Sequence, residues 1–168
     1  NLTLRADRKG TGVGTVSFGE DGEIDFSESK GDVNVFYNPS SFPTPDFDGS
    51  KVEMGDGMLT ASMLVHDLSD LHSIRQNTSG DYALSSDIDA AATGNWNSGD
   101  GFEPIDNFTG SFKGQNLKIS DLVINRNTPN VGLFSEIKNG ALIQNVSLSQ
   151  VDITGLNDVG GLVGRQWS

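Results

Sequence analysis

Apolar residues in the first third of the chain recur two positions apart. Leu2 and Leu4 in "LTLRA", Val16 and Phe18 in "GTVSFG", Ile24 and Phe26 in "GEIDFS", and Val33 and Val35 in "DVNVFY" alternate with polar neighbours. That period puts every second side chain on one face, so each run predicts a short, half-buried strand. Turn-forming stretches ("RKGTGVG", "EDGE", "ESKGD") separate the runs. The alternation stops at residues 38–50, "NPSSFPTPDFDGS". Pro39, Pro43 and Pro45 carry no ladder donor, which predicts a surface loop, with a binding loop as the alternative. Residues 51–107 read as an irregular insertion. It holds one helical stripe near 67–76, where Leu68, Leu71 and Ile74 share a face and Asp67 stands at the cap position. "YALSSDIDA" then returns to extended structure, and "TGNWNSGDGFEP" reads as loop with Trp96 laid over the core edge.

Over 108–164 the pattern tightens into repetition. Asn130-Val131-Gly132-Leu133 returns as Asp158-Val159-Gly160-Gly161-Leu162. "KISDLVI" (118–124) also aligns with "LIQNVSL" (142–148), matching Ile119 to Ile143 at a spacing of 24 (143 − 119). The first phrase repeats at 28 (159 − 131). Unequal spacings fit a constant strand unit with loops of variable length. In "KISDLVI" the apolar positions are 119, 122 and 124, so the alternation slips by one near Asp121. Such a slip turns later side chains outward unless the chain bends there. Asp121 and its counterpart Asn145 are types that tolerate left-handed backbone, so both suit a corner. A single coil cannot bury its inner face, whereas stacked coils can. Strand, corner, strand and loop together predict an all-β right-handed parallel β-helix. On this reading residues 1–168 form one segment, with at most one short helix and regular coils over 108–164. The glycines of "VGLF" and "VGGLVG" would let adjacent backbones approach closely.

Composition narrows the function. Eleven Lys and Arg residues face 23 Asp and Glu, giving a net charge of −12 and a pI near 4.3. No nucleic-acid partner and no charge-driven adhesion to anionic lipid is expected of such a surface. No run reaches the roughly 20 apolar residues of a membrane span, so no membrane insertion is expected. Cysteine is absent, which removes disulfides, thiolate catalysis and Cys-based zinc sites. Twenty-one glycines suit many short strands and tight turns. "NLTLRADRKG" has no apolar signal region. The chain stops at "GLVGRQWS" without a polar cap, which predicts longer flanking sequence in the parent protein.

Candidate chemistry is sparse. Asp87 and Asp89 lie two apart on an expected strand, a pairing that suits glycoside hydrolysis or Ca²⁺ and also suits solvated, turn-capping acids. No basic partner accompanies them locally. His66 and His72 are six apart, which fits neither a helical nor a strand metal pair. With Tyr37 and Tyr82 they are the residues a haem-capture role would use. Trp96, Phe42, Phe47 and Trp167 stand in loop or terminal contexts where aromatics make contacts. Trp96 is the best single contact candidate, beside a plainer role as a lid on the core. Asn1, Asn77, Asn107 and Asn145 each begin an Asn-X-Ser/Thr triplet. No catalytic, cofactor-binding or metal residue is assigned.

Residues 82–137 resemble the large exoproteins of the filamentous haemagglutinin type, exported by bacterial two-partner secretion. The likeness rests on Gly101-Phe102-Glu103-Pro104-Ile105 and on Phe108-Thr109-Gly110-Ser111-Phe112-Lys113-Gly114-Gln115, before "VGLF". "VGGLVG" is similar to the start of the GLUG motif of surface adhesins. Asp106, Lys113 and Ser135 depart from the usual Gly, Asp and Gly. The resemblance implies a secreted or cell-surface adhesin acting as a rigid β-helical stalk or presentation scaffold. It implies an outer-membrane secretion partner and a host-cell or surface receptor or carbohydrate. Two other functions stay open: a polysaccharide-cleaving or carbohydrate-binding β-helix using Asp87 and Asp89, and a haem or haem-carrier capture protein.

Overall fold

The structure is a computed structural model, and it describes every residue except Arg8, Thr11, Gly12, Asn139 and Ser168. The turn read over "RKGTGVG" falls partly on these and lies outside the described residues. The fold is mostly β. It divides into two compact units, Asn1–Leu64 and Val65–Ser168.

The first unit contains β1 (Leu2–Arg5), β2 (Ile24–Phe26), β3 (Val33–Tyr37), β4 (Val52–Met54) and β5 (Leu59–Val65). β3 lies parallel between β1 and β5, pairing Leu2 with Val33 and Val33 with Leu59. β2 runs parallel to β4, with Ile24 opposite Val52. Three of the four alternating runs are therefore strands. The fourth, "GTVSFG", is not: residues 15–19 are irregular. Val33, Val35, Tyr37, Met63 and Leu64 are buried. Phe42 is buried as well, so the proline-rich stretch 38–50 tucks an aromatic side chain away rather than offering it to solvent.

The second unit opens with α1 (Leu68–Ser73) and a 3₁₀ turn, Ile74–Gln76. Asp67 caps α1, its Oδ1 accepting the Asp70 N–H at 2.9 Å, and Leu71 and Ile74 are fully buried. β6 (Asp81–Leu84), β7 (Ile88–Asp89), β8 (Ser111–Lys113), β9 (Lys118–Ser120) and β10 (Val123–Asn125) follow. After them come β11 (Phe134–Ile137), β12 (Leu142–Gln144), β13 (Ser147–Ser149), β14 (Asp152–Thr154) and β15 (Val163–Gln166). The pairings are parallel: β6 with β8 with β12, β7 with β9 with β13, β10 with β14, and β11 with β15. Residues 51–107 are thus more regular than their polar, Gly-rich sequence suggested. They supply β4 to β7, and Ile105 bridges in parallel to Phe134, as Phe108 just beyond does to Ile137.

The register corrects the 24-residue alignment. Ile119 lies opposite Leu148, and Ile143 lies opposite Phe112. Side-chain hydrogen bonds show the real step, linking residues 28 (Arg75 to Glu103), 29 (Ser135 to Asp106), 30 (Ser111 to Asp81) and 31 (Lys118 to Asp87) apart. Val131 opposite Val159 belongs to this series. The shorter spacing compared two strand–corner–strand pieces that look alike without facing each other. Both corners are real: Asp121 has φ 58° and Asn145 φ 54°. Each corner has its own counterpart one step away, Asp121 with Gln150 (φ 53°) and Asn116 (φ 60°) with Asn145. At the repeated "VG" phrase, a Cβ on Gly132 would stand 2.8 Å from the Gly160 carbonyl oxygen, so only glycine allows that approach.

The core of this unit is aromatic. Phe108 and Phe134 lie 4.8 Å apart between ring centroids, Phe112 and Phe134 5.5 Å, and Tyr82 and Phe108 6.5 Å. All four are fully buried. Complete burial of one such side chain contributes about 1.5–3 kcal/mol. The inward residues of β12 to β15 are only half-buried, and Leu142, Leu156, Val159 and Trp167 are exposed.

Candidate functional site

The most differentiated surface feature gathers around Trp96. A 3₁₀ stretch over Ala91–Gly99 is broken at Trp96, where ψ is 151°, and Asn97 and Ser98 are left-handed at φ 52° and 60°. The Gly, Asn and Ser signals of this stretch predict plain loop. Single Asn residues adopt such backbone readily, whereas Ser does so at a cost. The break lifts Trp96 clear of the 3₁₀ turns and stacks its ring on Phe102, 6.1 Å away and inclined by 22°. His72, brought by α1, meets Trp96 edge-on at 5.2 Å and Phe102 at 5.7 Å. Phe102 is fully buried and Trp96 half-buried, so Trp96 covers the core edge and still shows part of its ring.

Charge surrounds this cluster. Arg75 pairs with Glu103, and the Arg75 Nε is buried with no partner among the described residues. Burial first, and then Arg75, hold the His72 imidazole below its ordinary pKa, against the opposing pull of Glu103. Burial against the two rings thus favours the uncharged imidazole. Sequence reasoning singled out Trp96 and His72 separately. Arg75, Phe102 and Glu103 carry no local signal of a site, because the 28-residue spacing visible between Val131 and Val159 does not by itself extend to Arg75 and Glu103.

The other candidates separate. Asp87 and Asp89 are exposed, and each accepts a backbone N–H: Lys118 to Asp87 at 3.0 Å and Ala91 to Asp89 at 2.9 Å. Asp89 caps the turn into Ala91, and Asp87 braces the start of β9. His66 meets Asp70 through Nδ1 at 3.2 Å, away from the ring cluster of His72. Tyr37 and Tyr82 are buried in strands rather than carried on loops, and the Tyr82 hydroxyl donates to the Asn77 carbonyl at 2.6 Å. Phe47 packs on Tyr37 at 5.9 Å. Trp167 is exposed under the Arg165 guanidinium, 3.8 Å from the ring centroid. In the first unit a cavity of about 140 Å³ is lined by Val16, Phe18, Asp46, Asp48 and Lys51 among others. Hydrogen bonds from Ser50 hold the Asp48 carboxyl below its usual range. Among the described residues no three His, Asp or Glu side chains gather as a metal site, and no helix is long and apolar enough to cross a membrane.

Comparison with known proteins corrects the resemblance. Residues 63–167 match the model of the M26 IgA1-specific metallo-endopeptidase N-terminal region. That span contains both the "GFEPI…FTGSFKGQ" stretch and "VGGLVG", so these phrases belong to this family and not to the haemagglutinin or GLUG type. Short Gly-and-apolar phrases satisfy any set of closely stacked parallel strands, which is why they misled. The outer-membrane secretion partner loses its support with the resemblance. A stretch of 125 residues, 71% of this chain, is 42% identical to halomucin of Haloquadratum walsbyi. The chain spans only 1% of halomucin's length. No solved structure matches. The M26 description names a metallo-endopeptidase, yet the described residues offer no ligand set for its metal. From the match over 63–167, the chain belongs to the family of the M26 IgA1-specific metallo-endopeptidase N-terminal region.

Proposed function

We propose that this chain is a non-catalytic segment of right-handed parallel β-helix, acting as a presentation scaffold within a larger exported surface protein. The observation that supports this reading is the parallel register of the second unit, which advances by 28 to 31 residues at each pairing. Windings of that length bury Phe108, Phe112, Ile119 and Phe134 inward, turn polar side chains outward, and leave loops free to vary. The excursion around Trp96 is what such a scaffold would present, with attachment to a cell, a surface receptor or a carbohydrate as its use. Stiffness follows from hydrogen bonds that run from winding to winding and cannot be broken singly. The acidic surface keeps such a protein soluble outside the cell.

The competing activity is that of the family's peptidase. Purified chain incubated with IgA1 and Zn²⁺ is expected to leave the antibody intact. Zinc-dependent cleavage that disappears in His66→Ala or His72→Ala would overturn the scaffold reading.

A further inference from the structure

Four Asn-X-Ser/Thr triplets occur in the chain, and the structure treats them differently. The Asn1 carboxamide oxygen accepts the Asp32 N–H at 2.7 Å. Asn77 is half-buried, its Oδ1 accepting the Ser79 hydroxyl at 3.1 Å while its carbonyl receives Tyr82 and Gly80. The amide of Asn107 donates to Asp106 at 2.5 Å and its oxygen accepts Lys138. Asn145 stands apart. Its side chain is exposed and has no hydrogen-bond partner among the described residues, and Ser147 is exposed too. Asn145 occupies the left-handed corner between β12 and β13, at φ 54°. Its backbone is fixed from behind, where its carbonyl accepts the Asn116 N–H at 3.2 Å.

We infer that Asn145 is an N-glycosylation acceptor on the folded chain. A transferase must take the acceptor amide and the hydroxyl two residues on into one active site, so both side chains must be exposed and the amide must project from a bend. Asn145 projects from the corner and Ser147 from the first residue of β13, and neither exposed side chain gives up an existing contact. The co-reactant is an oligosaccharide carried on a lipid diphosphate. The Asn145 Nδ2 forms a bond to the anomeric carbon, the bond from that carbon to the diphosphate oxygen breaks, the amide nitrogen loses one proton to a base of the transferase, and the lipid diphosphate leaves. No oxidant or reductant enters. Asn77 fails the same test, since it is half-buried and its side-chain oxygen already holds the Ser79 hydroxyl of its own triplet.

The site rests on the export proposed above, because such donors face the exported side of the membrane. The experiment is cell fractionation followed by intact-mass measurement and peptide mapping of the protein from its native cells. The expected result is an exported chain with a glycan mass on the Asn145 peptide. That mass is absent in Asn145→Gln and in Ser147→Ala, and kept in Ser147→Thr. An exported chain with Asn145 bare, or with glycan on Asn77 alone, overturns the site and leaves the scaffold standing. A chain retained in the cytosol overturns both.

Discussion

Single side chains show most directly what holds the second unit together. Phe112 is fully buried, lies opposite Tyr82 and Ile143 on neighbouring strands, and touches Phe134 edge-on. Phe112→Ala is expected to cost about 3–5 kcal/mol, because three strands must hold the cavity open. A urea midpoint at constant slope measures it. Gly114 tests the backbone in the same way. A Cβ there would stand 2.2 Å from the Asn145 carbonyl oxygen, so Gly114→Ala is expected to cost about 1–3 kcal/mol although no side chain is lost. His72 gives the pH dependence. Its folded pKa lies below the ordinary 6.5, so the unfolded chain takes up this proton first as pH falls. The stability from neutral His72 is complete well above pH 6.5, declines below it, and levels off under the folded pKa. His72→Phe is expected to flatten the pH dependence of the urea midpoint between about pH 7 and 5, while the acid loss that follows Asp25 and Asp48, both held below 3.8, remains.

Elements divide by how much of them can be read locally. The cap at Asp67 and the buried stripe Leu71–Ile74 were legible, because a capping carboxylate and a 3.6-residue period act within one turn. Asp67→Ala is expected to remove the acceptor for the Asp70 N–H and cost about 1 kcal/mol, lowering the melting temperature by about 2–4 °C. The corners at Asp121 and Asn145 were legible for the same local reason. Pairing was not. Ile119 resembles Ile143 in its surroundings, but a strand's neighbour is fixed by where the chain returns, and that depends on loop length. The 3₁₀ stretch around Trp96 was hidden as well. Its sequence carries only Gly, Asn and Ser signals, and the ring cluster that fixes it draws on His72 and Phe102 from elsewhere in the chain. The run "GTVSFG" alternates like a strand yet pairs only through a bridge from Gly14 to Asn38, since alternation describes a face and not what covers it.

At the scale of the whole molecule, charge and register dominate. A net charge of −12 on 168 residues opposes compaction, and mobile ions screen it over about 8 Å at physiological ionic strength. The melting temperature is therefore expected to rise as NaCl is raised from about 10 mM to about 150 mM, where the Debye length falls below typical charge spacings. A melt that ignores salt would mean that the acids are already paired. The family match places residues 63–167 with the N-terminal region of a peptidase family, and the scaffold proposed above depends on the parallel register. Both readings meet in the claim that successive windings stack in parallel about 29 residues apart.

Cross-linking tests that claim most directly. The chain has no cysteine, so introduced pairs report cleanly. Lys118 lies opposite Ser147 in the parallel register, and both are exposed. Neighbouring strands lie about 4.8 Å apart, within the roughly 7 Å a disulfide can span. Lys118→Cys with Ser147→Cys is expected to oxidise to an intramolecular disulfide in the folded protein. Lys118→Cys with Leu142→Cys, the pair a 24-residue step would join, is expected to stay reduced. Oxidation of the second pair and not the first would contradict the stacked windings.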